Sequence, residues 1–313
     1  MRDLVGAVEG GGTKFLCAVG TGPHDLIDEK RIETRDPIST SARVTEFFWR
    51  YRDRLRGIGV CTFGALELNP RAGERHGALL TTPKPGWSSF PLRQTLMRSL
   101  GVPISIETDV NGAALAEQAW GRGQGADPMI YVTVGTGIGV GAVIHGSALH
   151  GMLHPELGHA RVPRAPRDTF RGVCPFHGDC AEGMASATAL RARTGSEPHA
   201  LSDSDPVWAL EAHYLGALLH NLALAYAPER IVLGGGVLQR PILWPKVYEA
   251  LLSSLGGYLP RPELTQAGIA GWVVPSGLSC RAGLWGGFAV AMRADDSMQN
   301  SKQGEPMSEN TQC

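Results

Sequence analysis

This 313-residue sequence reads as a duplicated α/β protein, two domains of one design with a cleft expected between them, and three observations say so. Residues 4–20, LVGAVEGGGTKFLCAVG, are an apolar run, a glycine turn and a second apolar run, the pattern of a β-hairpin with an unusually open turn. Residues 129–146, MIYVTVGTGIGVGAVIHG, repeat that plan. The two hairpins open halves of similar size, and strand-like and helical runs alternate after each of them.

Taken in order, GIGVCTFG (57–64) reads as a strand. VPISIETD (102–109) reads as another and leads into the alanine-rich helix VNGAALAEQAWG. DPVWALEAHYLGALLHNLALAYA (205–227) has apolar residues every three or four positions and reads as a helix. RIVLGGGVL (230–238) is a strand meeting a glycine turn, and AGLWGGFAVAM (282–292) is a closing helix. From Ala294 the chain is polar, lacks aromatics and reads as a disordered tail. The expected division is 1–118, then 119–293 with an insertion over 154–182, then the tail 294–313. The closing helix is a candidate to pack back on the first domain.

Bulk composition narrows the function classes. Apolar content of 43%, charged content of 19% and a net charge of −1 leave neither a basic surface for nucleic acid nor an acidic tail. No apolar run approaches the roughly 20 residues that span a membrane. The start, MRDLVGAVEGGG, reaches glycines too soon for a secretory signal. Of Cys17, Cys61, Cys174, Cys180, Cys280 and Cys313, only Cys174 and Cys180 are close in sequence, so no disulfide framework is expected. Free thiols and no export signal point to the cytoplasm.

Three turns rich in glycine or threonine stand out: Gly10–Lys14, Gly135–Gly141 and Gly234–Gly236. Glycines expose backbone N–H groups and let a phosphate approach, and threonine hydroxyls add donors. None is a P-loop, because Lys14 leads into a strand-like run and not a helix. Residues 137–142 can be forced onto a GxGxxA dinucleotide pattern, but strand follows there too. Each turn alone is an ordinary hairpin turn. Together they favour nucleotide binding across a cleft.

Asp109 falls where a strand ends and a helix begins. Asp is a good N-cap there, worth about 1 kcal/mol. It is equally placed to act as a base beyond the strand's carboxyl end, and phosphoryl transfer to a hydroxyl needs one such carboxylate. Position alone leaves both readings open.

HPELGHARV, then CPFHGDC, carries Cys174, His177 and Cys180 at three-residue intervals. With one upstream ligand they complete a tetrahedral zinc site. His159 is the better fourth ligand, since His154 precedes Pro155 and is set apart from the run. Four protein ligands leave no open position, so the metal would be structural. A nucleic-acid zinc knuckle, suggested by Arg161, Arg164, Arg167 and Arg171, is disfavoured by the neutral chain.

These motifs converge. VEGGGTKFLCAVG, TTPKPGW, ETDVNGAALAE, VTVGTGIGVGAV, HPELGHARV, CPFHGDCAEGMAS and IVLGGGV, in this order along nearly the whole chain, resemble the ROK family of sugar kinases, repressors and related open reading frames, and its bacterial fructokinases above all. The resemblance implies an actin-like (ribonuclease H-like) ATPase fold of two domains with ATP and hexose meeting in the cleft. It implies Asp109 as catalytic base. Glu156 and His159 become a sugar-contacting pair, Glu182 a further sugar contact and Asn111 a lesser one. His159 would ligate zinc through one ring nitrogen and offer the other to a sugar hydroxyl. ATP would be held by Gly11, Gly12, Thr13 and Lys14, by Thr136 and Gly137, by Gly234, Gly235 and Gly236, and by Thr188 and Gln239.

The implied activity is transfer of the γ-phosphoryl group of ATP, with Mg²⁺, to the 6-hydroxyl of fructose, with structural Zn²⁺ and a homodimer also expected. Thr108 before Asp109, Glu9 in the first motif and His177 in place of a cysteine follow the fructokinase branch. Arg281 stands where relatives often have Asn. Repressor relatives carry a helix-turn-helix ahead of the first glycine turn, and here that turn begins at Gly10. Another hexose (glucose, mannose or an N-acetylhexosamine) and a catalytically silent sugar sensor are the alternatives.

Overall fold

The computed structural model describes residues 3–82 and 84–303, with side chains as far as Arg293. The chain forms two compact units, one made of the residues up to Asp109 with those from Leu284 onward, the other of Val110–Gly283. The division therefore falls at the start of a helix, not after residue 118, and the closing helix belongs with the first unit.

In the first unit the strands are β1 (Leu4–Gly10), β2 (Lys14–Gly22), β3 (Asp25–Glu33), β4 (Leu55–Thr62) and β5 (Ile104–Thr108), with helices α1 (Pro37–Trp49) and α2 (Leu92–Leu100). The sheet order is β3-β2-β1-β4-β5. β1, β2 and β3 pair antiparallel, whereas β4 and β5 run parallel to β1. α1 starts where Asp36 accepts a hydrogen bond from the Ser39 N–H and Pro37 takes the first helical position. It buries Val44, Phe47 and Phe48, each such side chain contributing about 1.5–3 kcal/mol.

The second unit runs α3 (Asp109–Trp120), β6 (Met129–Val134), β7 (Ile138–Ile144), β8 (Ser147–Ala148), α4 (Ala181–Ala185), α5 (Ala187–Thr194), α6 (Val207–Tyr226), β9 (Arg230–Gly234), α7 (Leu243–Leu255), α8 (Ile269–Trp272) and β10 (Val273–Pro275). Its sheet order is β10-β9-β6-β7-β8. β6, β7 and β8 pair antiparallel, and β9 and β10 continue parallel to β6. Read from the other edge, this is the order of the first sheet with the same sense at every pairing. The repeat heard in the two hairpins is thus a repeat of whole sheets. Its apolar core includes Trp208, Leu215, Leu218 and Leu222 of α6 and Val247 and Leu251 of α7.

α9 (Ala282–Gln303) closes the described chain. Residues 294–303, expected to be disordered, continue it as helix. Residues 304–313, Cys313 among them, lie outside the described residues.

Candidate active site

Register in the first sheet decides what meets at its edge. Gly10 on β1 is opposite Thr62 on β4, and Thr62 is opposite Thr108 on β5. The first glycine turn follows Gly10 and Asp109 follows Thr108. Turn and carboxylate therefore emerge from the same end of the sheet two strands apart, roughly 10 Å at the usual strand spacing. That end is the carboxyl end of three parallel strands, where open α/β sheets bind their ligands. Asp109 is exposed as the first residue of α3, and Asn111 two residues on is buried.

The first turn has had its acceptors taken. Gly10, Gly11, Gly12 and Thr13 carbonyls accept from the Phe63 N–H, the Thr34 hydroxyl, the Lys84 ammonium and the Thr34 N–H, at 2.9, 2.7, 2.5 and 3.0 Å. The Gly11 N–H donates to the Lys14 carbonyl. Among the described residues, the N–H groups of Gly12 and Thr13 donate to nothing. A turn whose carbonyls are all occupied while two of its N–H groups stay unpaired presents donors only, the chemistry of an anion nest. Just behind it, Glu9 Oε2 and Thr62 Oγ1 are buried and have no hydrogen-bond partner. Buried polar atoms of this kind mark a place for an ion, a water or a ligand. Burial raises the Glu9 carboxyl pKa, an effect opposed by the Lys14 charge and reinforced by Asp109.

The second turn is built alike. The Gly135 carbonyl accepts from Ala187 N–H, the Thr136 carbonyl from the Thr188 hydroxyl and the Gly137 carbonyl from Gly135 N–H, at 2.8, 2.8 and 2.9 Å. The N–H groups of Thr136 and Gly137 have no partner among the described residues. Thr188 thus caps a turn carbonyl through its proton and keeps its oxygen lone pairs outward. The third turn is the lateral neighbour of the second, because Thr133 on β6 is opposite Gly234 on β9. Gly234 ends β9, Gly235 and Gly236 follow, and Gln239 ends a short 3₁₀ turn after them. Sequence reading ended that strand at its glycine turn, and the left-handed backbone at Gly235 (φ +100°) stops it there.

Beside the second turn sits the His/Cys cluster. Ligand atoms of His159, Cys174, His177 and Cys180 all lie within 4.8 Å of one another. Nδ1 of His159 is 3.6 Å from both thiol sulfurs, and Nδ1 of His177 is 3.6 Å from Cys174 Sγ. Tetrahedral zinc with bonds of about 2.0–2.3 Å requires donor separations of about 3.3–3.8 Å, so the donor set fits. His154 lies outside the set, with its Nδ1 3.2 Å from the Glu156 carboxylate. Burial pushes the Cys180 thiol up to about 11, so a metal bound here would displace a proton from it. Zinc held here would be structural, fixing the loop and leaving the Nε2 of His159 as an outward donor.

This module is welded to the second turn through Ile138. Glu182, at the start of α4, accepts from the Ile138 N–H at 3.1 Å, while its other oxygen lies 3.9 Å from His159 Nδ1. Gly158 packs so closely on β7 that a Cβ there would stand 1.8 Å from the Ile138 carbonyl, which is why the His-bearing turn needs glycine. Farther along the loop, Arg193 of α5 grips Asp168 through two hydrogen bonds of 3.0 and 2.8 Å, and the Tyr214 hydroxyl of α6 donates to the same carboxylate. Sequence reasoning passed over Asp168 and left Lys84 of TTPKPGW without a role. For Lys84 the available signal was a lysine fixed between two prolines inside a family motif.

A model of the ROK family matches residues 5–294. A fructokinase of Pediococcus pentosaceus is 36% identical over 93% of this chain and 98% of its own. A fructokinase of Zymomonas mobilis is 36% identical over 94% and 98%. The crystal structure of a ROK glucokinase from Streptomyces griseus, in complex with glucose and AMPPNP, superposes with a TM-score of 0.72 at 25% identity, covering 93% of this chain and 99% of that one. With the family's ordered motifs carried on two sheets of matching topology, this chain belongs to the ROK family.

Proposed function

We propose that the protein is an ATP-dependent fructokinase, which transfers the γ-phosphoryl group of Mg·ATP to the 6-hydroxyl of D-fructose and releases ADP. The observation that carries this reading is the similarity to two fructokinases at 36% identity over nearly full length. In this reading the donor-presenting turns at Gly11–Lys14 and at Thr136–Gly137 and the glycine turn at Gly234–Gly236, with Thr188 and Gln239, take the nucleotide. Asp109 accepts the proton of the 6-hydroxyl as its oxygen closes on phosphorus. Asn111, Glu156, His159 and Glu182 hold the sugar, and His159 offers its Nε2 proton to a hydroxyl. Mg²⁺ arrives with ATP and neutralises charge on the phosphates. The protein works in the cytoplasm, where ATP is supplied, as a homodimer.

Zinc-replete protein given Mg·ATP with fructose, glucose, mannose or no sugar is the test. ADP release should be strong with fructose alone, and Asp109→Asn should lower it by about 10²–10⁴-fold with zinc content unchanged. Release with another hexose would correct the sugar. No release above the sugar-free control would refute the kinase reading, and full turnover in Asp109→Asn would refute the base.

A further inference from the structure

The loop carrying TTPKPGW has a role left open by the reading above. Trp87 anchors it: the side chain is fully buried, its ring stacks 5.6 Å from Phe15, and its Nε1 donates to the Arg35 carbonyl at 2.8 Å. The Thr82 N–H donates to Ser88 Oγ and the Ser88 hydroxyl to the Thr82 carbonyl, while the Lys84 N–H donates to Thr82 Oγ1. The Lys84 side chain then reaches across 72 residues of sequence to place its ammonium on the Gly12 carbonyl.

That partner is neutral, and Lys84 forms no ion pair among the described residues. The Lys84 residue is half-buried, but its ammonium is at the surface with one carbonyl contact, which leaves two protons unassigned. It stands at the very turn whose Gly12 and Thr13 N–H groups point at nothing. A bare cation beside a donor-only nest makes a site for an anion more highly charged than the nest alone would need.

We propose that Lys84 is a further catalytic residue, whose ammonium contacts the phosphoryl group being transferred. This rests on the kinase reading above. As the sugar oxygen forms its bond to phosphorus, its proton passes to Asp109, the bond from phosphorus to the bridging oxygen of ADP breaks, and ADP leaves with that electron pair. Lys84 stays protonated throughout. It lends charge to the phosphoryl oxygens and gives up no proton.

The test compares Lys84→Met, Lys84→Gln and Lys84→Arg in zinc-replete protein, by steady-state kinetics and by calorimetry with ADP and with AMPPNP. Glutamine retains a donor for the Gly12 carbonyl without the charge. We expect kcat to fall about 10²-fold in both Met and Gln variants and to recover in part in Arg. AMPPNP should bind at least about 10-fold more weakly to the Met and Gln variants, with ADP affinity and KM for fructose within about threefold of the parent. Turnover preserved in the Gln variant would reduce Lys84 to a brace for the turn and overturn the proposal. So would a raised KM for fructose with AMPPNP affinity unchanged. Lack of turnover in the parent protein would be a failure of the kinase reading, and the AMPPNP-against-ADP difference would still judge Lys84.

Discussion

Asp168 and Arg193 show what single residues contribute to this site. Their side chains are 5% and 8% exposed, and the paired hydrogen bonds from Arg193 hold the Asp168 carboxyl well below the usual carboxylate range, with burial opposing and the Tyr214 hydroxyl assisting. A depressed folded pKa stabilises the fold above the unfolded value near 4 and loses that contribution as pH falls through it toward the folded value. Asp168→Asn should therefore cost about 3 kcal/mol at pH 7, since it strands a buried guanidinium. The gap to the parent should narrow by about 1.4 kcal/mol for each pH unit below about 4. Burial pushes up the carboxyl of Glu211, which feels the Arg193 charge, and this contribution, present in parent and variant alike, leaves the sign of the gap unchanged. Urea unfolding at pH 7 and pH 3 reads both, and an equal gap at the two would refute the linkage. This pair was invisible in sequence because its partners are 25 positions apart with no spacing rule between them. The His/Cys cluster was readable for the opposite reason: three of its ligands fall within one loop, where metal geometry sets the spacing.

Elements were readable where burial imposes a period. The hairpins β1–β2 and β6–β7, the strands β4, β5 and β9, and the helices α3 and α6 all lie under the runs that announced them. β3 went unread because it is an edge strand, exposed along most of its length, so no alternation of apolar residues betrays it. β10 is three residues long and carries no period at all. The sequence reading offered α9 to the first domain, but not how closely it packs there. A Cβ on Gly59 of β4 would stand 1.9 Å from the Gly287 carbonyl and 2.7 Å from the Ala291 nitrogen, so helix backbone lies directly on strand backbone. Gly59→Ala must push α9 off the sheet and should cost about 3 kcal/mol in urea unfolding. Gly22→Ala, where a Cβ meets nothing within 4 Å, should change stability by less than about 0.5 kcal/mol. Equal effects at the two positions would show that α9 yields without cost.

At the level of the whole molecule, two sheets of one topology have been given different work. Among the described residues, β1 and β6 each lead into a turn whose carbonyls are occupied and which leaves two N–H groups unpaired, yet only the second unit carries the His/Cys module. The module reaches the second turn through Ile138 and rests on α5 and α6 through Asp168, all within Val110–Gly283. Metal affinity there is folding energy for those contacts and for no others. Chelating the zinc, or replacing Cys174 with Ser, should speed amide exchange across residues 154–182, then at Ile138 and along α4 and α5. The strands β1, β2 and β4 should keep their protection, because the module's hydrogen bonds to Ile138, α5 and α6 all end within Val110–Gly283. Fructose should bind more weakly to the metal-free protein, since His159 and Glu182 are held by the same loop, while the first turn, fastened by Thr34, Phe63 and Lys84, should keep its own exchange rates. Exchange that rose equally in both units would mean that the zinc supports the whole chain cooperatively, and unchanged fructose affinity would separate the metal from the sugar. The predicted pattern, loss confined to one copy of a duplicated fold, follows from where the module's hydrogen bonds end.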